Sequence, residues 1–326
     1  MKFNHINHIV VLGGSTVAFS FLKYLKKSRF NYHFFTNGRL LNDKLTNDKT
    51  LKQLLVSNKI KYFSTNDINK NKKIESIITT NSLIMGFGQP WVIKKKLLRK
   101  FKNKIVDFMG IPMPKYRGGA HYSWMILNGN REGGCFIQNV NEKTVQGSSD
   151  SGFYYMKSNY MYPKNLKIPL DFFNFSQKKE ISFLKNFLKK IKTNRNFNLR
   201  RLYEKNSIFF PRLKAKINGF IDWDTNADEV VRFINAFSDP YPGATTFINK
   251  KKIFLKNATL LKRNNFHTYV SGLILNKFKE EIIIAAKKGI IKVSSVKNIN
   301  FKNLIIGDRL YTEKKIIQKS KKHFKL

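Results

Sequence analysis

The sequence predicts an α/β protein of two domains, in which an open, mostly parallel sheet covered by helices leads through a helical linker into a small antiparallel β-barrel. Three observations predict it. Short apolar runs alternate with amphipathic stretches through the first half of the chain, and the last third switches to short β-rich runs at close spacing. The 326 residues are 42% hydrophobic and 14% aromatic, enough to fill two cores.

In chain order, strands are expected at residues 8–12, 32–36, 61–63, 82–86 and 105–109. Between them 16–27, 50–58 and 92–101 carry apolar residues at three- and four-residue spacing and read as helices. Gly13-Gly14-Ser15 interrupts the apolar stretch 9–22 where a strand turns into a helix, so that stretch is a first strand and not a signal segment. The same triplet could cradle an anion at a helix N-terminus. It lacks the third glycine and the acidic residue about 20 positions on that a dinucleotide site needs, so NAD is not expected. Residues 134–155 are strand-like. Residues 176–192 form a helix with Ile181, Phe183, Leu184, Phe187, Leu188 and Ile191 on one face, and a second helix is expected at 199–205. A helix at 228–237, capped by Asn226 or Asp224, ends at Pro240-Tyr241-Pro242-Gly243. The runs 245–248, 252–255, 269–275, 282–286 and 290–293 have the rhythm of a small barrel. The boundaries are therefore 1–195 for the first domain, 196–243 for linker helices, 244–312 for the barrel and 313–326 for a frayed basic tail.

Sixty-two Lys and Arg against 20 Asp and Glu give a formal charge of +42. A nucleic-acid partner is the first reading of such a charge. Only twelve of these residues are Arg, whose planar fork suits bidentate phosphate and base recognition. The fifty Lys are scattered among many Asn, Ile and Phe, the pattern of compositional drift. A polyanionic ligand and an acidic membrane surface stay open as alternatives. The single cysteine, Cys135, excludes an internal disulfide; no Cys/His spacing suits structural zinc, and a cytoplasmic protein without a membrane partner is expected. His5, His8, His33, His267 and His323 show no partner spacing and read as surface or satisfied core residues.

The most informative segment runs from Asp107 to Trp124, with Pro112, Pro114, three glycines and the triplet Lys115-Tyr116-Arg117 between a buried strand and a helix starting near Gly119. A loop at the carboxyl edge of an open sheet is where ligands bind in this architecture. Arg117 and the helix N-terminus would hold an anionic or electron-rich group there.

Met113-Pro114-Lys115-Tyr116-Arg117-Gly118, followed by a helix with Trp124 and then Ile126-Leu127-Asn128-Gly129, resembles the folate-dependent formyltransferase superfamily. That group includes methionyl-tRNA, sugar-nucleotide and glycinamide ribonucleotide formyltransferases. Residues 84–91 resemble the strand and loop that line the family's formylfolate pocket, Asp150-Ser151-Gly152 its Asp-Thr-Gly, and 218–223 with 235–244 its bridge into the C-terminal barrel. The resemblance implies a Rossmann-like N-terminal domain, an OB-like C-terminal barrel, and transfer of a formyl group from 10-formyltetrahydrofolate to a primary amine without a metal. It implies donor contacts at Gly86, Phe87, Gly88, Gln89, Asn139 and Glu142, and acceptor contacts at Tyr116, Arg117, Gly118 and Gly119.

Such a transfer needs an oxyanion donor, a base for the amine proton and an orienting carboxylate, which in the family are an Asn-x-His pair and the Asp of Asp-Thr-Gly. Here Asp107 and Met109 stand at the Asn and His positions, and Asp150 is kept if residues 143–147 are an insertion; without a gap Val145 would stand there. Two repairs are open. His121, at the start of the following helix, could supply the imidazole, or Asp107, beside Asp150 with a raised pKa, could serve as acid or base. A catalytically inactive binding protein is the third possibility. Residues 36–45 lack the basic Gly- and Pro-rich loop of methionyl-tRNA formyltransferases, and Gly118-Gly119-Ala120-His121 is closer to the sugar-amine enzymes. A nucleotide-linked sugar is therefore the expected acceptor, with tRNA as the alternative and a homodimer left open.

Overall fold

The computed structural model describes residue 3 and residues 5–46, 48–101, 104–141 and 152–322. The chain divides into two compact units, one made of Met1–Arg117, Gly133–Tyr160 and Ser176–Ile208, the other of Gly118–Glu132, Met161–Phe175 and Phe209–Leu326.

In the first unit β1 (His8–Gly13), β2 (Asn31–Thr36), β3 (Phe63–Ser64), β4 (Ser82–Phe87), β5 (Ile105–Met109), β6 (Glu132–Asn139), β7 (Gly152–Met161) and β8 (Arg200–Leu202) form one sheet in the order β8-β7-β6-β5-β4-β1-β2-β3. The strands from β5 across to β3 are parallel, whereas β6 runs antiparallel to β5 and β8 to β7. Because β1 leads outward to β2 and β3 and the chain then returns to β4 on the other side of β1, the carboxyl ends of β1 and β4 flank the switch point of the sheet.

The parallel strands are apolar on both sides, so each face takes its own cover. Ile9, Val11, Phe34, Met85, Val106 and Phe108 pack with the helices Thr16–Lys26 and Leu51–Ser57 and with Phe183, Leu184 and Phe187 of the long helix Pro169–Lys192. On the other face Val10, Leu12, Ile84 and Ile105 meet Ile74, Trp91, Leu97 and Leu98. The Gly13-Gly14-Ser15 triplet is a strand-to-helix turn in which Ser15 Oγ accepts from Ala18 N at 3.1 Å and caps the first helix.

Several expectations are corrected. The helix expected at 92–101 is only Lys95–Lys100, because Asn69 holds the preceding residues extended, donating to Val92 O at 3.0 Å and accepting from Lys94 N at 2.7 Å. The strand expected at 61–63 is Phe63–Ser64. Residues 199–205 are not a helix. Arg200–Leu202 pairs with β7, a partner distant in sequence that overrides local pattern, and a 3₁₀ turn Glu204–Asn206 follows. The segment 269–275 divides into a 3₁₀ turn Thr268–Val270 and the strand Ile274–Phe278. Of the expected tail, Lys314–Lys322 form a helix whose buried Ile317 and Ser320 face inward and whose Ser320 carbonyl accepts from Asn218 Nδ2 at 2.9 Å.

The second unit carries β9 (Ala244–Ile248), β10 (Lys251–Arg263), β11 (Ile274–Phe278), β12 (Glu281–Ala286) and β13 (Gly289–Lys297), paired antiparallel in the order β9-β10-β13-β12-β11. An irregularity at Leu260–Lys262 interrupts the β10–β13 ladder. Bridges from Tyr311 to Phe247 and from Arg309 to Leu273 join the two ends of the sheet through one segment. The helix Ala227–Ala236, started by a capping box of Asn226 and Glu229, buries Val230 and Ile234. No helix among the described residues is long and apolar enough to cross a membrane.

At the amino end of the large sheet His8 is buried, with Nδ1 2.7 Å from Ser82 Oγ and Nε2 2.8 Å from His33 Nδ1. Burial, reinforced by His33, holds the His8 imidazole down at about 4, and burial with the nearby Lys73 lowers His33 as well. Their stabilisation is complete above the ordinary histidine value of 6.5 and is lost as pH falls towards 4, because the unfolded chain takes up protons the fold resists. His8 is expected to cost about 2 kcal/mol between pH 7 and pH 4, allowing for solvent screening. The check is urea unfolding at both values, where His8→Gln should lose part of the acid-induced fall in midpoint.

Candidate active site

Register and alternation put Asp107 and Gln138 on the same face of the sheet as Gly86, which lies near the carboxyl end of β4. Gly86 pairs with Asp107, and Asp107 pairs with Gln138 across the antiparallel β5–β6 contact. A Cβ placed on Gly86 would stand 2.4 Å from Asp107 Oδ1 and 2.2 Å from Gln89 Oε1. Glycine at 86 is therefore what lets the Asp107 carboxylate and the Gln89 amide converge. Gln89 Oε1 is buried without a hydrogen-bond partner among the described residues, and an amide turned over would direct its N–H groups at Asp107. Gly88, at φ +61°, has open space where a Cβ would stand.

The loop after β5 is firmly held. Tyr116 is buried, Arg117 N donates to Ile208 O at 3.0 Å, and Arg117 Nη1 donates to Ser207 Oγ at 2.9 Å. Lys157 Nζ donates to Met113 O at 2.7 Å, and burial together with the charge of Lys115 pulls its pKa down. Lys115 and Lys157 thus make a local positive region that favours an anion.

The expected site residues do not all fall together. Gly86, Gln89 and Asp107 converge, and Phe87 is a core residue on the opposite face. Met109 faces Phe136 and Met113 in an apolar cluster. Asn139 shares the face of Val106, not that of Asp107, and donates from Nδ2 to Tyr155 OH at 2.7 Å. Gly118, Gly119 and His121 belong to the second unit. His121 begins a short helix after Ala120, which is left-handed at φ +57°. Its Nε2 is buried with no partner among the described residues, its ring lies 3.9 Å from that of Tyr122, and burial lowers its pKa to about 4. The imidazole is therefore neutral at pH 7. Asp150 and Glu142 lie outside the described residues.

Sequence reasoning missed Gln138, Lys157 and Glu180. Gln138 was readable from the two-residue period of β6, since it alternates with the core residue Ile137. Glu180 is buried beside Gly110, where a Cβ would meet its Oε1 at 2.6 Å, and burial pushes its pKa up to about 8. Its charge in turn raises the Cys135 thiol, which burial has already pushed up.

Residues 214–308 match the formyl transferase C-terminal domain. The bifunctional polymyxin resistance protein ArnA of Wigglesworthia glossinidia brevipalpis is 26% identical over 296 residues, covering 85% of this chain. The chain spans 41% of that protein's length. Methionyl-tRNA formyltransferase of Malacoplasma penetrans (strain HF-2) is 28% identical over 254 residues, 76% of this chain and 74% of that one. Among solved structures, WlaRD, a sugar 3N-formyl transferase, superposes with a TM-score of 0.64 at 19% identity, over 91% of this chain and all of that one. An N-formyltransferase from Helicobacter canadensis gives 0.64 at 19%, over 89% and 99%. The fold is shared with both.

Proposed function

We propose that this member of the formyltransferase superfamily moves a formyl group from 10-formyltetrahydrofolate to a primary amine on a small, nucleotide-linked sugar. The observation that carries the reading is the convergence of the Asp107 carboxylate and the Gln89 amide over Gly86 at the carboxyl edge of the sheet. A folate carrier fits these residues: the open space at Gly88, next to the Gln89 amide, suits a planar ligand rich in hydrogen-bonding groups. The carrier supplies an activated formyl carbonyl.

The chain's own residues do the rest. Asp107 accepts the proton of the attacking amine, and that proton ends on the carrier nitrogen as its bond to the formyl carbon breaks. The Gln89 N–H groups orient Asp107 or donate to the oxygen on which charge develops. Lys115, Lys157 and Arg117 attract the diphosphate of the acceptor, and neutral His121 is the second candidate for the proton transfer. Asp150 retains the orienting role the family resemblance gives it. The sugar acceptor draws support from the structures superposed above, whose complexes are described with dTDP and 5-N-formyl-THF and with folinic acid and dTDP-3-aminofucose.

The test is incubation of the protein with 10-formyltetrahydrofolate and dTDP-3-aminofucose, following tetrahydrofolate release and the mass of the sugar nucleotide. Formylated product is expected. The curated methionyl-tRNA relatives and the charge of +42 favour a second reading, in which Met-tRNA is the acceptor. That activity would fall steeply as salt rises, whereas a small acceptor gives a shallow dependence. No turnover with either acceptor would leave a binding protein.

A further inference from the structure

The long helix Pro169–Lys192 places one carboxyl against the start of the loop that follows β5. Glu180 is 3% exposed, on the helix face that also buries Ser176, Phe183 and Leu184. The register that pairs Met109 with Phe136 brings Gly110 beside Cys135, and Glu180 lies over both. A Cβ on Gly110 would stand 2.6 Å from Glu180 Oε1, 3.2 Å from its Cδ and 3.6 Å from its Oε2. Gly110 does not have a left-handed φ, so its backbone would accept another residue. It is the approach of the carboxyl that requires glycine there.

That carboxyl makes no hydrogen bond or ion pair among the described residues. Nothing charged offsets its burial. The Cys135 thiol facing it from β6 is itself pushed up and neutral, Tyr160 of β7 donates to Ser176 Oγ at 3.0 Å, and Lys178 and Lys179 of its own helix are exposed. One turn earlier Gln177 Nε2 is buried without a partner among the described residues. An acid in such surroundings stays protonated at pH 7, in line with its pKa of about 8. For stability alone an apolar residue would serve as well or better, so an acid kept here points to a role in the neighbouring site.

We propose that Glu180 is a positioning residue for formyl transfer: its carboxyl seats the Gly110 turn, through which the chain passes from Asp107 into the loop 111–117. This rests on the reading of Asp107 as the proton acceptor. The neutral carboxyl lies against the turn and can both donate and accept there. The carboxylate, with neither water nor a cation, leaves it, and the turn three residues after Asp107 loses its seat.

Amide exchange in the full chain tests this without turnover. The amides of Met113, Lys115 and Arg117 donate to Ile111 O, Pro112 O and Ile208 O and report on the loop. At pH 9, where about nine-tenths of Glu180 is ionised, they should lose about tenfold in protection relative to pH 7, after correction for base-catalysed exchange and beyond any loss in β1 and β4. Glu180→Gln keeps the shape and a donor, so it should retain that protection. Its kcat/KM relative to wild type, with 10-formyltetrahydrofolate and dTDP-3-aminofucose, should be about ten times higher at pH 9 than at pH 7. Glu180→Leu fills the space but cannot hold the turn: kcat should fall about tenfold at both pH values, with KM little changed and Tm not lowered. Equal loop protection in wild type and Glu180→Gln at pH 9, or equal kcat in Glu180→Leu and Glu180→Gln, overturns the proposal. Absence of turnover in the wild type overturns the formyl-transfer reading instead, and the exchange comparison still decides whether Glu180 seats the loop.

Discussion

Asp107→Ala is expected to lower the rate of formyl transfer by about 10²–10⁴-fold, the range of a lost general base, with Tm changed by only a few degrees. Asp107, the central residue of β5, is only partly buried, so its removal opens no sealed core cavity. Gly86→Ala should imitate the loss without touching the carboxylate, because the added methyl occupies the place of both Asp107 Oδ1 and Gln89 Oε1. A fall in kcat for both variants, with tetrahydrofolate release as the measure, fits one shared cluster. Full turnover in Asp107→Ala with loss in His121→Ala would transfer the proton to the imidazole instead.

Gly13→Ala is expected to destabilise the chain by about 3 kcal/mol or more. Two effects add: a non-glycine residue is strained at the observed φ of +106°, and overpacking against backbone cannot relax by a rotamer change. The new Cβ would lie 2.5 Å from Phe87 O and 2.8 Å from Gln89 N. Gly14→Ala is the comparison, since the atoms nearest its Cβ are side-chain atoms, Leu51 Cδ2 at 2.8 Å and Leu40 Cβ at 3.3 Å, of which the first can move where backbone cannot, and its φ is unexceptional. Denaturant midpoints at constant m should separate the two. If both variants lose the same small amount, the close approach of the β1 and β4 ends is not a constraint.

The parallel strands were legible because they are buried on both sides: β1, β4 and β5 are apolar runs bounded by turn residues, and local composition decides them. The element at 200–202 was not, because its strand character comes from pairing with Gly152–Tyr154 and not from its own residues. The helix Lys314–Lys322 hides in a run of lysines, with only Ile317 and Ser320 facing inward. At the site, Asp107 and Gln89 were readable from the loop motifs. Gln138 required the strand period to be applied to β6, and Lys157 required a tertiary contact with Met113 that no local pattern encodes. Glu180 left a trace, an acid three and four positions before Phe183 and Leu184 on the apolar face of a helix whose only other acid, Asp171, is in its first turn.

That glutamate makes the fold a proton-holding state. With its pKa raised from 4.5 to about 8 by burial, the native chain keeps a proton that the unfolded chain releases, so its contribution is fully present below pH 4.5 and is lost as pH rises through 8. His8 acts in the opposite sense between 4 and 6.5. In mildly acid solution the two trends offset each other. Above pH 6.5 only the glutamate's remains, so of these two groups it is Glu180 that makes stability fall with rising pH, and Glu180→Gln should flatten that decline.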